Sequence, residues 1–233
     1  RQLNANQTIT WNELMNPLHQ IHERLRWSWG VICHLNAVCN TQELREAHSS
    51  QQPEIVRFSN RIGQSKNIYK ALTALNKQKE LNESQKRILE AELRSMNQRG
   101  VALDDLIQQD FNKDSERLAE LSTTFSNNVL DATKDWSLLL TKKSQVEGLP
   151  KRALEILAES SKEYGDSGEK GCEIPTAEEG PWRLGLDMPR YIPFMTHAKN
   201  RQIREILYKA HVSRASSGKQ DNKKLIEEIL NLR

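Results

Sequence analysis

The stretch His22-Glu-Arg-Leu-Arg26 is the nearest approach in this chain to a metalloprotease motif. That motif places histidines at i and i+4 of a helix, so that both imidazoles reach one metal, with a glutamate between them as general base. Here the second position is Arg26, a cation that repels a metal ion. His19 lies three residues before His22 and shares its helix face, but neither the inverted order of the motif nor a third ligand accompanies the pair. Surface or interface histidines are expected there. In "CHLNAVC" the adjacency of Cys33 and His34 suggests an activated thiolate. Neighbouring helical residues point about 100 degrees apart, however, so this pair does not face itself. Cysteines packed as small apolar residues are the expectation for Cys33 and Cys39. The paired carboxylates Asp104–Asp105 and Glu178–Glu179 sit at a helix start and in a polar loop, where they serve the helix dipole and solvation rather than acid–base chemistry. No glycine-rich phosphate loop of either common spacing is present. The expectation is therefore no catalytic residue, no metal ligand and no assigned substrate-binding residue in these 233 positions.

The elements that would position such groups are helical. Thr10 and Glu13 have capping-box spacing, with Ile9 and Leu14 at the hydrophobic-staple positions, and a stripe of Leu14, Leu18, Ile21, Leu25, Trp29, Ile32 and Leu35 follows at helical period. Trp27 falls off that stripe and is the better candidate for a partner surface. Thr41 caps a short helix to about His48; Pro53 then separates it from a second stripe, Ile55, Phe58, Ile62, Tyr69, Leu72 and Leu75. Asn82 and Gln85 repeat the capping box, and Gly100 is placed as a C-terminal stop. From Asp104 to Lys142 one pattern persists, marked by Phe111, Leu118, Leu121, Phe125, Val129, Trp136 and Leu139, which predicts a single long helix.

That helix contains the adjacent asparagines Asn127 and Asn128, poor helix formers. Asn128 lies about 60 degrees from Phe125 at the edge of the apolar stripe, so its amide calls for a partner on a neighbouring element, whereas Asn127 points nearly the opposite way. Pro150 opens a further helix. Four of the ten glycines fall between residues 165 and 180, a flexible loop or linker. Alternation of Trp182, Leu184 and Leu186 marks the one credible strand, and Pro189 and Pro193 delimit a turn into another helix. Asn200 and Asp221 read as caps for the last two helices. The expected fold class is all-α: a multi-helix bundle with one long central helix and a single short strand or hairpin near 182–187.

Bulk composition agrees with solvated helices carrying narrow apolar stripes: 36% hydrophobic, 28% charged, mean hydropathy −0.74. The 34 basic and 31 acidic residues are interleaved, which argues against a nucleic-acid surface. Three cysteines, Cys33, Cys39 and Cys172, without C-x-x-C spacing argue against a disulfide framework or zinc knuckle and for a reducing compartment. No apolar run approaches the ~20 residues that cross a bilayer, so no membrane partner is expected. Both ends read as cut, opening on Arg1 and stopping at Arg233 inside "LIEEILNLR", an uncapped helix.

"FSNNVLDAT", "GLP" at Gly148–Pro150, "CHLNAVCNTQELREAH", "RIGQSKNIYKAL" and the run from "PWRLGLDMPRYIPF" to "KKLIEEILNL" together closely resemble the N-terminal half of the oligopeptidase A and thimet oligopeptidase family of zinc metallopeptidases. The resemblance covers nearly the whole chain in order. It implies the N-terminal lobe of a neurolysin-like, almost entirely helical enzyme whose deep channel admits short peptides, such as signal and transit peptide fragments and other degradation products. It implies zinc, one per active site, held by an H-E-x-x-H helix and a later glutamate that this chain does not contain. By that reading residues 1–164 form an N-terminal helical domain, 165–180 a flexible loop, and 181–233 the start of the region leading into an absent catalytic lobe. The parent enzyme would be a cytoplasmic metalloendopeptidase, or one of the chloroplast or mitochondrial interior if from a plant. Its partners would be short peptides and the missing catalytic lobe, with this segment forming a channel wall and inactive alone. The alternative from a different class is a free-standing helical interaction module using the Trp27 face. An independent thiol or metal enzyme built on His19, His22, Cys33 or His34 is a third.

Overall fold

In a computed structural model the chain is all-α, with ten helices and one two-stranded antiparallel sheet among the described residues, 9–166 and 174–232. It divides into two compact units, residues 1–123 and 124–231.

The first unit is built by local rules that the sequence states openly. Helix α1 (Trp11–Val38) opens with the Thr10–Glu13 capping box: the Glu13 amide donates to Thr10 Oγ1 at 3.4 Å and the Thr10 amide to the Glu13 carboxylate at 3.0 Å. The Thr10 amide, and the Thr10 hydroxyl that also donates to this carboxylate at 2.8 Å, hold the Glu13 carboxyl below its usual range, because they favour its charged form. Helix α2 (Gln42–Gly63) is capped by Thr41 and runs through Pro53. Pro53 therefore removes one ladder hydrogen bond without ending the helix, and the separation falls later, where Ser65 caps α3 (Lys66–Asn76). Ile55, Phe58 and Ile62 thus belong to a different helix from Tyr69, Leu72 and Leu75.

Helix α4 (Glu83–Gln98) has the Asn82–Gln85 capping box and ends at Gly100 in a Schellman motif, with Val101 N donating to Met96 O and Gly100 N to Asn97 O. The left-handed φ of +85° at Gly100 is what this motif demands. Met96 and the following Val101 both enter the core, which gathers Met15, Leu72, Leu75, Leu81 and Leu89. The long helix α5 (Asp105–Asp135) begins in this unit. A reciprocal amide pair holds it to α2: Gln64 Nε2 donates to Asn112 Oδ1 at 2.8 Å and Asn112 Nδ2 returns to Gln64 Oε1 at 3.1 Å.

In the second unit α5 ends at Asp135, seven residues short of the Lys142 that periodicity suggested, and Ser137–Leu140 form strand β1. β1 pairs antiparallel with β2 (Trp182–Gly185), Leu140 opposite Trp182 and Leu138 opposite Leu184. Three consecutive leucines satisfy a helical stripe and a strand equally, so the choice between them lies with the distant partner strand. A short α6 (Lys143–Val146) follows, then α7 (Lys151–Glu163) behind Pro150, α8 (Met188–His197), α9 (Arg201–Val212) and α10 (Lys223–Asn231). Pro189 and Pro193 lie inside α8 rather than bounding a turn. Pro189 sits in the first turn, where its missing N–H has no helical acceptor to lose. The core joins Leu140, Leu157, Trp182, Leu184, Phe194 and Leu207.

Gly148, in the turn before α7, has φ +95°, and a Cβ there would stand 2.4 Å from the His197 carbonyl oxygen. Beside it Lys199 donates from its backbone to Glu147 O at 2.8 Å and from Nζ to the Glu147 carboxylate at 2.7 Å. Only a side-chain-free residue admits this close approach.

Candidate functional site

The first unit holds a groove of about 430 Å³ between α1, α2, α3 and α4. Its floor is apolar: Met15, Leu72 and Met96 are buried, and Leu18, Phe58 and Trp29 stand partly buried around them. The α1 rim carries His19, His22 and Arg26, so the residues of the failed metal motif do meet a cavity. Across from them α4 presents Glu92, Ser95, Met96 and Arg99, an i, i+3, i+4, i+7 set that shares one helix face. Arg26 is ion-paired with Glu23 at 2.7 Å in an exposed i, i+3 contact. Arg99 makes one long hydrogen bond, 3.5 Å to the Ser59 carbonyl, and its aliphatic stem lies where a Cβ on Gly63 would collide with it, 2.5 Å from Cδ.

Cys33 meets His48 of α2 rather than His34, with Sγ 3.6 Å from Nε2. His48 is 6% exposed and stacks on Trp29, ring centroids 4.7 Å apart, while its Nδ1 has no hydrogen-bond partner. Burial pushes the Cys33 thiol up and the His48 imidazole down, so both changes favour the neutral pair over thiolate and imidazolium. This is a packing contact of α1 on α2 and not an activated nucleophile. Cys39, expected to be packed, is exposed, and Cys172 lies outside the described residues.

The remaining candidates are dispersed. Asp105 starts α5 and pairs with Lys66 at 3.4 Å; Glu179 pairs with Lys143 at 2.8 Å and Glu178 with Lys151 at 3.7 Å, all exposed. Trp27 is 68% exposed and its indole N–H donates to Glu23. Among the described residues no three or more of His, Cys, Asp and Glu are grouped so as to hold a metal ion. A catalytic zinc needs three protein ligands, and the described residues bring no such set together.

Two polar clusters of the second unit organise it. Asn128 Nδ2 donates to Asn222 Oδ1 at 2.8 Å, and Asn222 Nδ2 donates to the Phe125 carbonyl at 3.2 Å, which supplies the partner that Asn128 called for. Asn222 is 2% exposed and stands before α10. Its neighbour Asp221, read as the cap, accepts from the amide of Lys223, the first residue of α10, at 3.0 Å. Arg183 of β2 grips Asp166 with two hydrogen bonds, 2.7 and 2.5 Å, donates to Ser137 Oγ of β1 at 2.6 Å and lies over the Tyr164 ring at 4.4 Å. The hydrogen bonds from Arg183 hold the Asp166 carboxyl below its usual range. The glycine-rich 165–180 stretch is thus tied at Asp166 on one side. On the other, Thr176 and Gly180 pair backbone to backbone and Trp182 Nε1 donates to the Ala177 carbonyl; residues 167–173 lie outside the described part.

Of these features His48, Asn222 and the Asp166–Arg183 pair were missed by sequence reasoning. Each depends on a contact between elements, and only Asn128, a polar residue at the margin of an apolar stripe, signalled one in advance.

The first unit is thus an all-helical one with boxed caps and a hydrophobic groove between four of its helices. The family model of the neurolysin/thimet oligopeptidase N-terminal domain matches residues 1–108. The chain is 47% identical over 227 residues to the organellar oligopeptidase A, chloroplastic/mitochondrial, of Arabidopsis thaliana, covering 96% of this chain and 28% of that protein. It is 45% identical over 227 residues to the probable cytosolic oligopeptidase A of the same plant, with 96% and 32% covered. Oligopeptidase A of Escherichia coli (strain K12) is 36% identical over 232 residues, again 96% and 32%. The family model over residues 1–108 and the oligopeptidase A relatives aligned along nearly the whole chain together support a likeness to the N-terminal half of the oligopeptidase A and thimet oligopeptidase family. It spans about a third of the length of the curated relatives it matches.

Proposed function

We propose that this chain is the N-terminal helical segment of a zinc-dependent oligopeptidase that hydrolyses short peptides, forming one wall of the substrate channel and carrying no catalytic group itself. The observation that carries the reading is the alignment of 96% of the chain with relatives named oligopeptidase A, at up to 47% identity. The groove-bearing helical unit supports the scaffold part: apolar walls with a polar rim accommodate unfolded peptide, whose backbone needs hydrogen-bonding groups and whose side chains need apolar surface. Water activation by zinc and a glutamate base would come from polypeptide outside these 233 residues. The compartment proposed is the cytoplasm, with the chloroplast or mitochondrial interior as the alternative that the organellar relative suggests.

The test is to express the coding sequence to the length of the relatives and follow cleavage of a short internally quenched peptide. Cleavage abolished by a chelator and restored by zinc is expected. A full-length protein that leaves short peptides intact, or cleaves them equally with the chelator present, would refute the reading.

A further inference from the structure

We infer that the groove of the first unit is a binding site for a short zwitterionic peptide of about three residues, held by its two charged ends and its apolar side chains. Glu92 and Arg99 line the same wall, on one face of α4 and its C-cap, with Ser95 and Met96 between them. Seven residues along a helix separate them by about 10 Å. Neither side chain has a charged partner among the described residues: the Arg99 guanidinium makes the 3.5 Å bond to the Ser59 carbonyl, and Glu92 lines the groove with no ion pair. An extended chain advances about 3.3 Å per residue, so the ammonium and carboxylate of a tripeptide stand about as far apart as these two groups.

The charges fix a direction, with the peptide's amino end at Glu92 and its carboxyl end at Arg99. Between them Met15, Leu72 and Phe58 offer an apolar floor, and the volume of about 430 Å³ suits a ligand of this size. A fatty acid would leave Glu92 facing hydrocarbon, and an uncharged peptide segment would leave both end groups unpaired; the opposed charges favour free termini. The inference rests on the function proposed above for the class of ligand. It is tested by binding alone, so its failure leaves the peptidase reading standing.

The experiment titrates the 233-residue chain calorimetrically with the tripeptide Leu-Ala-Phe in three forms: free at both ends, N-acetylated, and C-amidated. The free form is expected to bind saturably, with each blocked end weakening binding about fivefold, the upper effect of a partly screened ion pair. Glu92→Gln should erase the effect of acetylation and keep that of amidation. Arg99→Gln should do the reverse, and Arg99→Lys, which keeps the charge, should behave as the parent. Equal binding of the three forms, no saturable binding, persistence of both end effects in both charge-removing variants, or binding of octanoate in place of the tripeptide would each overturn the inference.

Discussion

Replacing Asn128 by alanine removes one side chain and leaves another stranded. Asn222 is 2% exposed and its Oδ1 accepts from Asn128 Nδ2 at 2.8 Å, while its own Nδ2 remains on the Phe125 carbonyl at 3.2 Å. The substitution orphans a buried acceptor, at a cost of about 1–3 kcal/mol, and the better helix propensity of alanine returns roughly 0.5 kcal/mol. The expected loss is therefore about 1–2 kcal/mol. Asn222→Ala deletes both hydrogen bonds and opens space in a packed site, so it should cost more, about 2–4 kcal/mol. Because the two residues share one bond, the double variant should be less destabilised than the sum, with a coupling of about 1 kcal/mol. Urea unfolding followed by circular dichroism and by tryptophan fluorescence measures all four proteins, the two probes reporting whether the transition is two-state. Strict additivity, or an Asn128→Ala variant within 0.3 kcal/mol of the parent, a threshold set by the additivity error of distant sites, would show that the pair does not hold α5 to the start of α10.

Four further outcomes follow from the structure. Gly148→Ala should destabilise by at least about 2 kcal/mol, since it adds both a left-handed alanine and a Cβ 2.4 Å from the His197 carbonyl, whereas Gly30→Ala, in α1 with nothing within 4 Å, should stabilise by about 0.5–1 kcal/mol; thermal melts compare them. The Asp166 carboxyl titrates below its usual 3.8 when folded, so its stabilisation is complete above that value and disappears as pH falls through the lower folded one; urea midpoints from pH 6 to pH 3 should show this acid loss in the parent and a smaller one in Arg183→Met. His48 binds its proton less readily folded than unfolded, so stability is full above its usual 6.5 and declines as pH falls below it, a slope that His48→Gln should flatten; in the same protein iodoacetamide should label exposed Cys39 before Cys33, as read by peptide mass spectrometry.

The helices were legible where their signals are local. Thr10, Thr41, Asn82 and Asn200 cap as their spacing indicates, and Gly100 ends α4 because only a left-handed residue completes that motif. Pro53 misled because one lost hydrogen bond does not outweigh a helix whose remaining ladder and apolar stripe are intact. Ser137–Leu140 misled for a different reason: its leucines fit either period, and the deciding contact with β2 lies more than forty residues away. At the groove the sequence offered His19, His22 and Arg26 as one helix face, but that this face meets Glu92 and Arg99 across a cavity depends on how four helices pack. The Cys33–His48 contact was hidden behind the adjacent His34 by the same distinction between neighbours in sequence and neighbours in space.

Metal content and peptide hydrolysis measured together on the purified 233-residue chain test the central proposal, that this segment shapes a cavity while the reacting groups lie elsewhere. The account predicts zinc far below one ion per chain and no cleavage of a quenched peptide, with or without added zinc. One tightly held zinc per chain accompanied by chelator-sensitive cleavage would contradict it.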